Sequence, residues 1–213
     1  MLAEEVPCLA AWLQSPSWIS RDGLRQYHAV LDVGCGSLRV GRLLIPYLNT
    51  GHYVGIEPNA WLVTEGIDRE LGNGVLDVKK LRSYYSDSAA VLRPGEYFDF
   101  VVAQSIFSHC GLDIIALWLS GLRSHLTRTS ALVATFIFGR ENFSGSGWIY
   151  PECVSYELDT IKSIASENGY VLNILDWAHP RQSWTLLTVQ GCDTSRFTIE
   201  PLTWNTRMRA GWW

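Results

Sequence analysis

The stretch Val30-Leu31-Asp32-Val33-Gly34-Cys35-Gly36-Ser37-Leu38-Arg39 sets two glycines one residue apart just after an apolar run, and Glu57 follows about twenty residues on. Glycine at 34 and 36 lets the backbone turn sharply and approach a ligand that a Cβ would crowd. A carboxylate at the end of the next apolar run can accept both hydroxyls of a ribose. Together they read as a nucleotide-cofactor loop and its acidic partner. A dinucleotide loop needs a third small residue where Arg39 stands, which disfavours NAD. Asp32, two residues before the first glycine, favours a cationic amino-acid end or a sulfonium over phosphates.

A second group follows the apolar run Phe98 to Ala103. In Ser105-Ile106-Phe107-Ser108-His109-Cys110-Gly111, His109 is the candidate general base, because an imidazole titrates near neutral pH. The competing reading is that His109 orders the loop before a helix starting at Asp113. The run Gly145-Ser146-Gly147-Trp148-Ile149-Tyr150-Pro151 reads as a substrate-side loop or lid with Trp148 and Tyr150 as contacts. Tyr27 and His28, just ahead of the first strand, are further substrate candidates. His179, Arg181 and Gln182 read as exposed polar groups of a hairpin connection. The five histidines are scattered and show no metal-ligand spacing, so no metal is expected.

Strand-length apolar runs span Ala29 to Val33, Tyr53 to Glu57, Phe98 to Ala103, Ala131 to Phe138, Val171 to Asp176 and Trp184 to Val189. Helical periodicity falls at Leu38 to Leu48, Asp113 to Leu126 and Pro151 to Asn168, the last with Val154, Leu158, Ile161 and Ala165 on one face and Gly169 as its cap. Near-continuous apolar strands between helices predict an α/β fold: a Rossmann-like, doubly wound, mostly parallel sheet with helices on both faces and ligand at the strands' carboxyl ends.

The chain has 213 residues and a net charge of −4, with 47% hydrophobic content. That suits one domain: a lid over 1–28 anchored by Trp12, Trp18 and Tyr27, a core over 29–190 and a tail over 191–213. No basic cluster marks a nucleic-acid face, and no apolar run approaches the roughly 20 residues that span a bilayer. An acidic start in place of a signal peptide points to the cytoplasm. The five cysteines are widely spaced without a C-x-x-C pair. The ten tryptophans serve core packing or an aromatic-walled pocket. A homodimer stays open, and the Trp212-Trp213 end is compatible with pocket closure, a dimer contact or disorder.

The motifs resemble the class I S-adenosylmethionine-dependent methyltransferases of small-molecule type. Residues 30–36 are similar to the family's first motif, Tyr53-Val54-Gly55-Ile56-Glu57-Pro58-Asn59 to its second strand, and Tyr97 to Ser105 to its fourth. The resemblance implies a seven-stranded sheet with an antiparallel last strand. It implies that Asp32, Gly34 and Gly36 hold the methionyl end of S-adenosylmethionine, that Glu57 meets the ribose, that Ser86 and Asp87 meet the adenine edge, that Gln104 and Ser105 line the floor, and that Cys35, Arg39 and Pro58 also belong to the cofactor site. A glycine common in the family is replaced by Leu38, and the strand before Ser86 is short. The expected activity is methyl transfer to a small-molecule acceptor, foremost a hydroxyl of a natural product or sugar. The alternative is a protein of the same fold that binds the cofactor without methylating, as a cyclase or a scaffold subunit.

Overall fold

The apolar runs 30–33, 53–56, 100–103 and 131–136 are buried along their whole length, as strands covered on both faces must be. They form β1 (Val30–Val33), β2 (Tyr53–Ile56), β4 (Phe100–Ala103) and β5 (Ala131–Phe136). With β3 (Arg82–Tyr84), β6 (Tyr170–Leu175) and β7 (Ser183–Val189) they make one seven-stranded sheet in the order β3-β2-β1-β4-β5-β7-β6. Only β7 runs against its neighbours. The computed structural model describes residues 24–72, 74–177 and 179–194, so the expected anchors Trp12 and Trp18 and the tail tryptophans 204, 212 and 213 lie outside the described residues.

Alternation along each strand feeds two cores. Leu31, Val54, Val101 and Leu132 pack on one face, while Val30, Tyr53, Phe100 and Val133 pack on the other. The first face is covered by α4 (Leu112–Arg123), which buries Ile115, Trp118, Leu119 and Leu122 at helical spacing, and by α5 (Leu158–Glu167), which buries Ile161 and Ala165. The second carries α1 (Gly41–Tyr47). Between β2 and β3 run α2 (Ala60–Gly66), a π-turn over Ile67–Leu71 and α3 (Gly74–Lys79).

The middle helix ends at Arg123, three residues short of the expected Leu126, and two helix starts differ from the periodicity. The first helix starts at Gly41 rather than Leu38, because Leu38 sits at φ +59°, outside right-handed helical space. The last starts at Leu158 rather than Pro151. Its expected first turns are drawn into backbone bonds with other segments: Val154 N–H to Ser108 O (2.9 Å) and Tyr156 N–H to Ile137 O (3.1 Å), continuing the pairing of Ile149 N–H with His109 O (2.8 Å) just upstream. Val154 is buried, but from this strap and not from a helix. Gly169, at φ +81°, ends the helix as expected.

Strand order reverses between β1 and β4, since the chain runs from β1 out through β2 and β3 and returns to β1's other side. In such sheets ligands bind outside the carboxyl ends of the strands at that crevice.

Candidate active site at the β1 and β4 carboxyl ends

Beyond β1 the chain turns at Gly34 (φ +64°) and Gly36 (φ +50°), with the N–H groups of Gly34 and Cys35 both donating to Ile56 O at 2.8 and 3.1 Å. The two glycines serve different ends. A Cβ at Gly34 would overlap the Ile106 side chain, so this residue lets the β4 loop close over the β1 loop. A Cβ at Gly36 would meet nothing nearer than Gly34 O at 3.9 Å, which leaves open space over the backbone for a ligand. Gly34→Ala is therefore expected to destabilise by about 1–3 kcal/mol more than Gly36→Ala, read from denaturant midpoints. Equal losses would contradict the contact. Gly66 of α2 packs against the Ser37 carbonyl, where a Cβ would also overlap.

Glu57, 7% exposed, completes the cradle. Its Oε2 accepts from Gly36 N–H (3.2 Å), and its Oε1 accepts from both Asn59 N–H and Asn59 Nδ2 (2.9 Å each). A carboxylate offers about four acceptor positions, so one on Oε2 remains for an incoming hydroxyl, and a second opens if the Asn59 amide swings away. The motif 53–59 includes Asn59 but gives no sign of this role. Pro58 beside it is exposed.

Asp32 lies behind the loop, 2% exposed, and accepts from the Tyr53 hydroxyl at 2.7 Å. Burial pushes its carboxyl up to about 7; the Tyr53 hydrogen bond pulls down against this, and the Glu57 charge adds to the rise. Cys35 points away from the open space. Its Sγ fills the room left by Gly55, where a Cβ would stand 2.8 Å from the sulfur, and burial with the Asp32 and Glu57 charges drives its thiol well up. Arg39 is exposed on the outer turn.

At the end of β4, Gln104 and Ser105 are half-buried. Ser105 takes a left-handed conformation (φ +57°), its N–H held by Thr135 Oγ1 at 2.7 Å and its Oγ accepting from Gln182 Nε2 at 3.2 Å. Gln182 is thus not an exposed hairpin residue: the β6–β7 connection carries it to Ser105 at the end of β4, and its Oε1 is buried with no partner among the described residues. Nothing in the local sequence signals a contact that depends on β7 lying beside β5.

His109 belongs to a 3₁₀ turn, Phe107–His109, three residues beyond Ile106. Its Nδ1 lies 2.6 Å from Glu152 O, with Cys153 Sγ at 3.9 Å and the Tyr150 ring edge-on at 5.4 Å. A carbonyl only accepts, so the neutral ring carries its proton on Nδ1 and keeps its lone pair on Nε2. The loop 145–151 is pinned, not loose: Gly111 N–H donates to Gly147 O (2.8 Å), Gly147 N–H donates to the Asp113 carboxylate (3.0 and 3.1 Å), and Trp148 bridges Cys110. Trp148 and Tyr150 remain 41% and 77% exposed beside His109.

Other expected positions fall elsewhere. Tyr27 and His28 stand at the amino end of β1, where the His28 ring packs on Phe100 at 5.2 Å and its Nδ1 accepts from Arg25 N–H; the length of β1 separates them from the crevice. Ser86 Oγ accepts from Ser88 N–H at 3.1 Å in a local turn, and Asp87 is exposed. Among the described residues no group of three or more His, Cys, Asp or Glu is placed to hold a metal ion. No helix of the described residues is long and apolar enough to cross a membrane.

Residues 31–132 match the family model described as a methyltransferase domain. No curated protein matches the sequence. Magnesium protoporphyrin IX methyltransferase from Synechocystis PCC 6803, solved with S-adenosylmethionine bound, is similar over 87% of this chain and 78% of its own, at 17% identity and a TM-score of 0.62. The mitomycin 7-O-methyltransferase MmcR covers 86% of this chain and 54% of its own, at 11% identity and a TM-score of 0.61. A TehB-like methyltransferase from Corynebacterium glutamicum covers 81% and 85%, at 17% identity and a TM-score of 0.56. The strand order, the single antiparallel strand and the match over 31–132 identify the chain as a protein of the class I methyltransferase fold.

Proposed function

We propose that this protein is an S-adenosylmethionine-dependent methyltransferase that acts on a small-molecule acceptor, and that the methylated atom is a hydroxyl oxygen. The observation that carries the reading is the open cradle over Gly36, walled by the Glu57 carboxylate and joined through the Gly34–Ile106 contact to the turn that bears His109. The residues fit the cofactor. Glu57 Oε2 would accept from a ribose hydroxyl, Gly34 and Gly36 would admit the methionyl chain, and Asp32 would lend negative charge to its cationic end. Gln104 and Ser105 form the floor.

When bound, S-adenosylmethionine supplies a methyl group on a positively charged sulfur. The chain's own part is to hold the acceptor in line with that methyl in a dry site and to accept the hydroxyl proton. His109 takes that proton on Nε2, while the Glu152 carbonyl fixes the ring through Nδ1. Trp148 and Tyr150 provide aromatic walls for the acceptor. The names of the similar structures, a porphyrin and a mitomycin methyltransferase among them, support a small-molecule acceptor of natural-product type. Transfer of labelled methyl to a library of hydroxylated small molecules tests this. Label on oxygen supports the reading, label only on nitrogen or carbon overturns the oxygen assignment, and tight cofactor binding with no transfer favours the non-methylating alternative.

A further inference from the structure

Tyr53 is a buried ionisable side chain beside the glycine loop with no part in the transfer step above. It opens β2, is 3% exposed, and donates to Asp32 Oδ2 at 2.7 Å. It is fixed from behind by α1, where a Cβ on Gly41 would stand 2.9 Å from the Tyr53 hydroxyl. The register neighbours of Asp32 are Gly55 on β2 and Val102 on β4, neither of which carries charge. The titratable groups that act on Asp32 are Tyr53 and Glu57 from β2 and its end, and Cys35 from the loop. None of them is a cation, so among the described residues the Tyr53 hydroxyl is the group that favours the ionised carboxylate.

We propose that Tyr53 is a positioning residue that couples cofactor loading to pH: it holds the Asp32 carboxylate ionised behind the loop, and the cationic end of the cofactor is captured by that form. The inference rests on the cofactor assignment under Proposed function. Burial pushes the Asp32 carboxyl up to about 7, which puts its titration within the pH range that binding can be measured over. Binding a cation then drives the Asp32 proton to solvent, and affinity rises as pH climbs toward that value and levels above it. Without the hydroxyl, the midpoint moves upward by about one pH unit or more.

The experiment is calorimetric titration of the full chain with S-adenosylhomocysteine between about pH 6 and 9, in buffers of different ionisation enthalpy so that released protons are counted. The ligand's own amine titrates alike for every variant, so the ratio of variant to wild-type affinity isolates the protein. Tyr53→Phe is expected to bind about tenfold more weakly near pH 7, release more protons there, and approach wild type near pH 9. A loss equal at every pH means that Tyr53 only packs, and no loss means that it does nothing; either overturns the proposal. Asp32→Asn keeps the shape and serves if Tyr53→Phe fails to fold. It is expected to erase the slope near neutrality, and a retained slope overturns the proposal. A wild-type protein that binds without any slope contradicts the coupling alone, whereas one that binds at no pH contradicts the cofactor assignment itself.

Discussion

His109→Ala is expected to lower the rate of methyl transfer to a hydroxyl by about 10²–10⁴-fold, the usual contribution of a positioned general base, with cofactor affinity unchanged. The geometry gives the reason for the second half. His109 stands three residues beyond Ile106, and its side chain contacts Glu152, Cys153 and Tyr150, none of which lines the cradle. Because the ring also anchors the strap through the Glu152 carbonyl, a control is needed that keeps this anchor. An asparagine places its amide nitrogen near the position of Nδ1 and can still donate to Glu152 O, but it has no basic nitrogen in place of Nε2. His109→Asn is therefore expected to retain thermal stability and lose the rate as fully as His109→Ala. If the asparagine variant restored turnover, His109 would be a loop anchor and not the base.

Glu57→Ala is expected to weaken binding of S-adenosylmethionine by about 10- to 150-fold, corresponding to the roughly 1.5–3 kcal/mol of a hydrogen bond to a charged group. The change removes the acceptor for the ribose and also leaves Gly36 N–H and the Asn59 amide without the partner they now share. Glu57→Gln separates these effects: its amide oxygen can still accept from one side, so a smaller loss is expected. Calorimetry reads both, and unchanged affinity in Glu57→Ala would remove the ribose assignment.

Much of the sheet is legible from local sequence because its central strands are buried on both faces and so read as unbroken apolar runs. The glycine loop and Glu57 are legible for a related reason, since turn geometry and a strand-end carboxylate are local features. β3 is harder to see: its three residues are all half-buried and include Arg82, so neither a continuous nor an alternating pattern arises. The helix expected from Pro151 shows the opposite failure, in which a helical period is overridden by backbone pairing with the turn at 108–110. Tyr53 and Gln182 are illegible in isolation. Tyr53 matters because β2 lies beside β1, and Gln182 because β7 lies beside β5, and neither adjacency can be read from the chain alone. Tyr27 and His28 precede β1 in sequence and stand at its amino end, a placement that follows from strand direction and not from the residues themselves.

Cofactor identity underlies every role assigned above, so the deciding measurement is calorimetric titration of the purified protein with S-adenosylmethionine and S-adenosylhomocysteine, with NADH as control. Binding of the first two in the micromolar range, corresponding to about −8 kcal/mol, with none of NADH, is the expected result. Absence of binding to either, or preference for NADH, would contradict it.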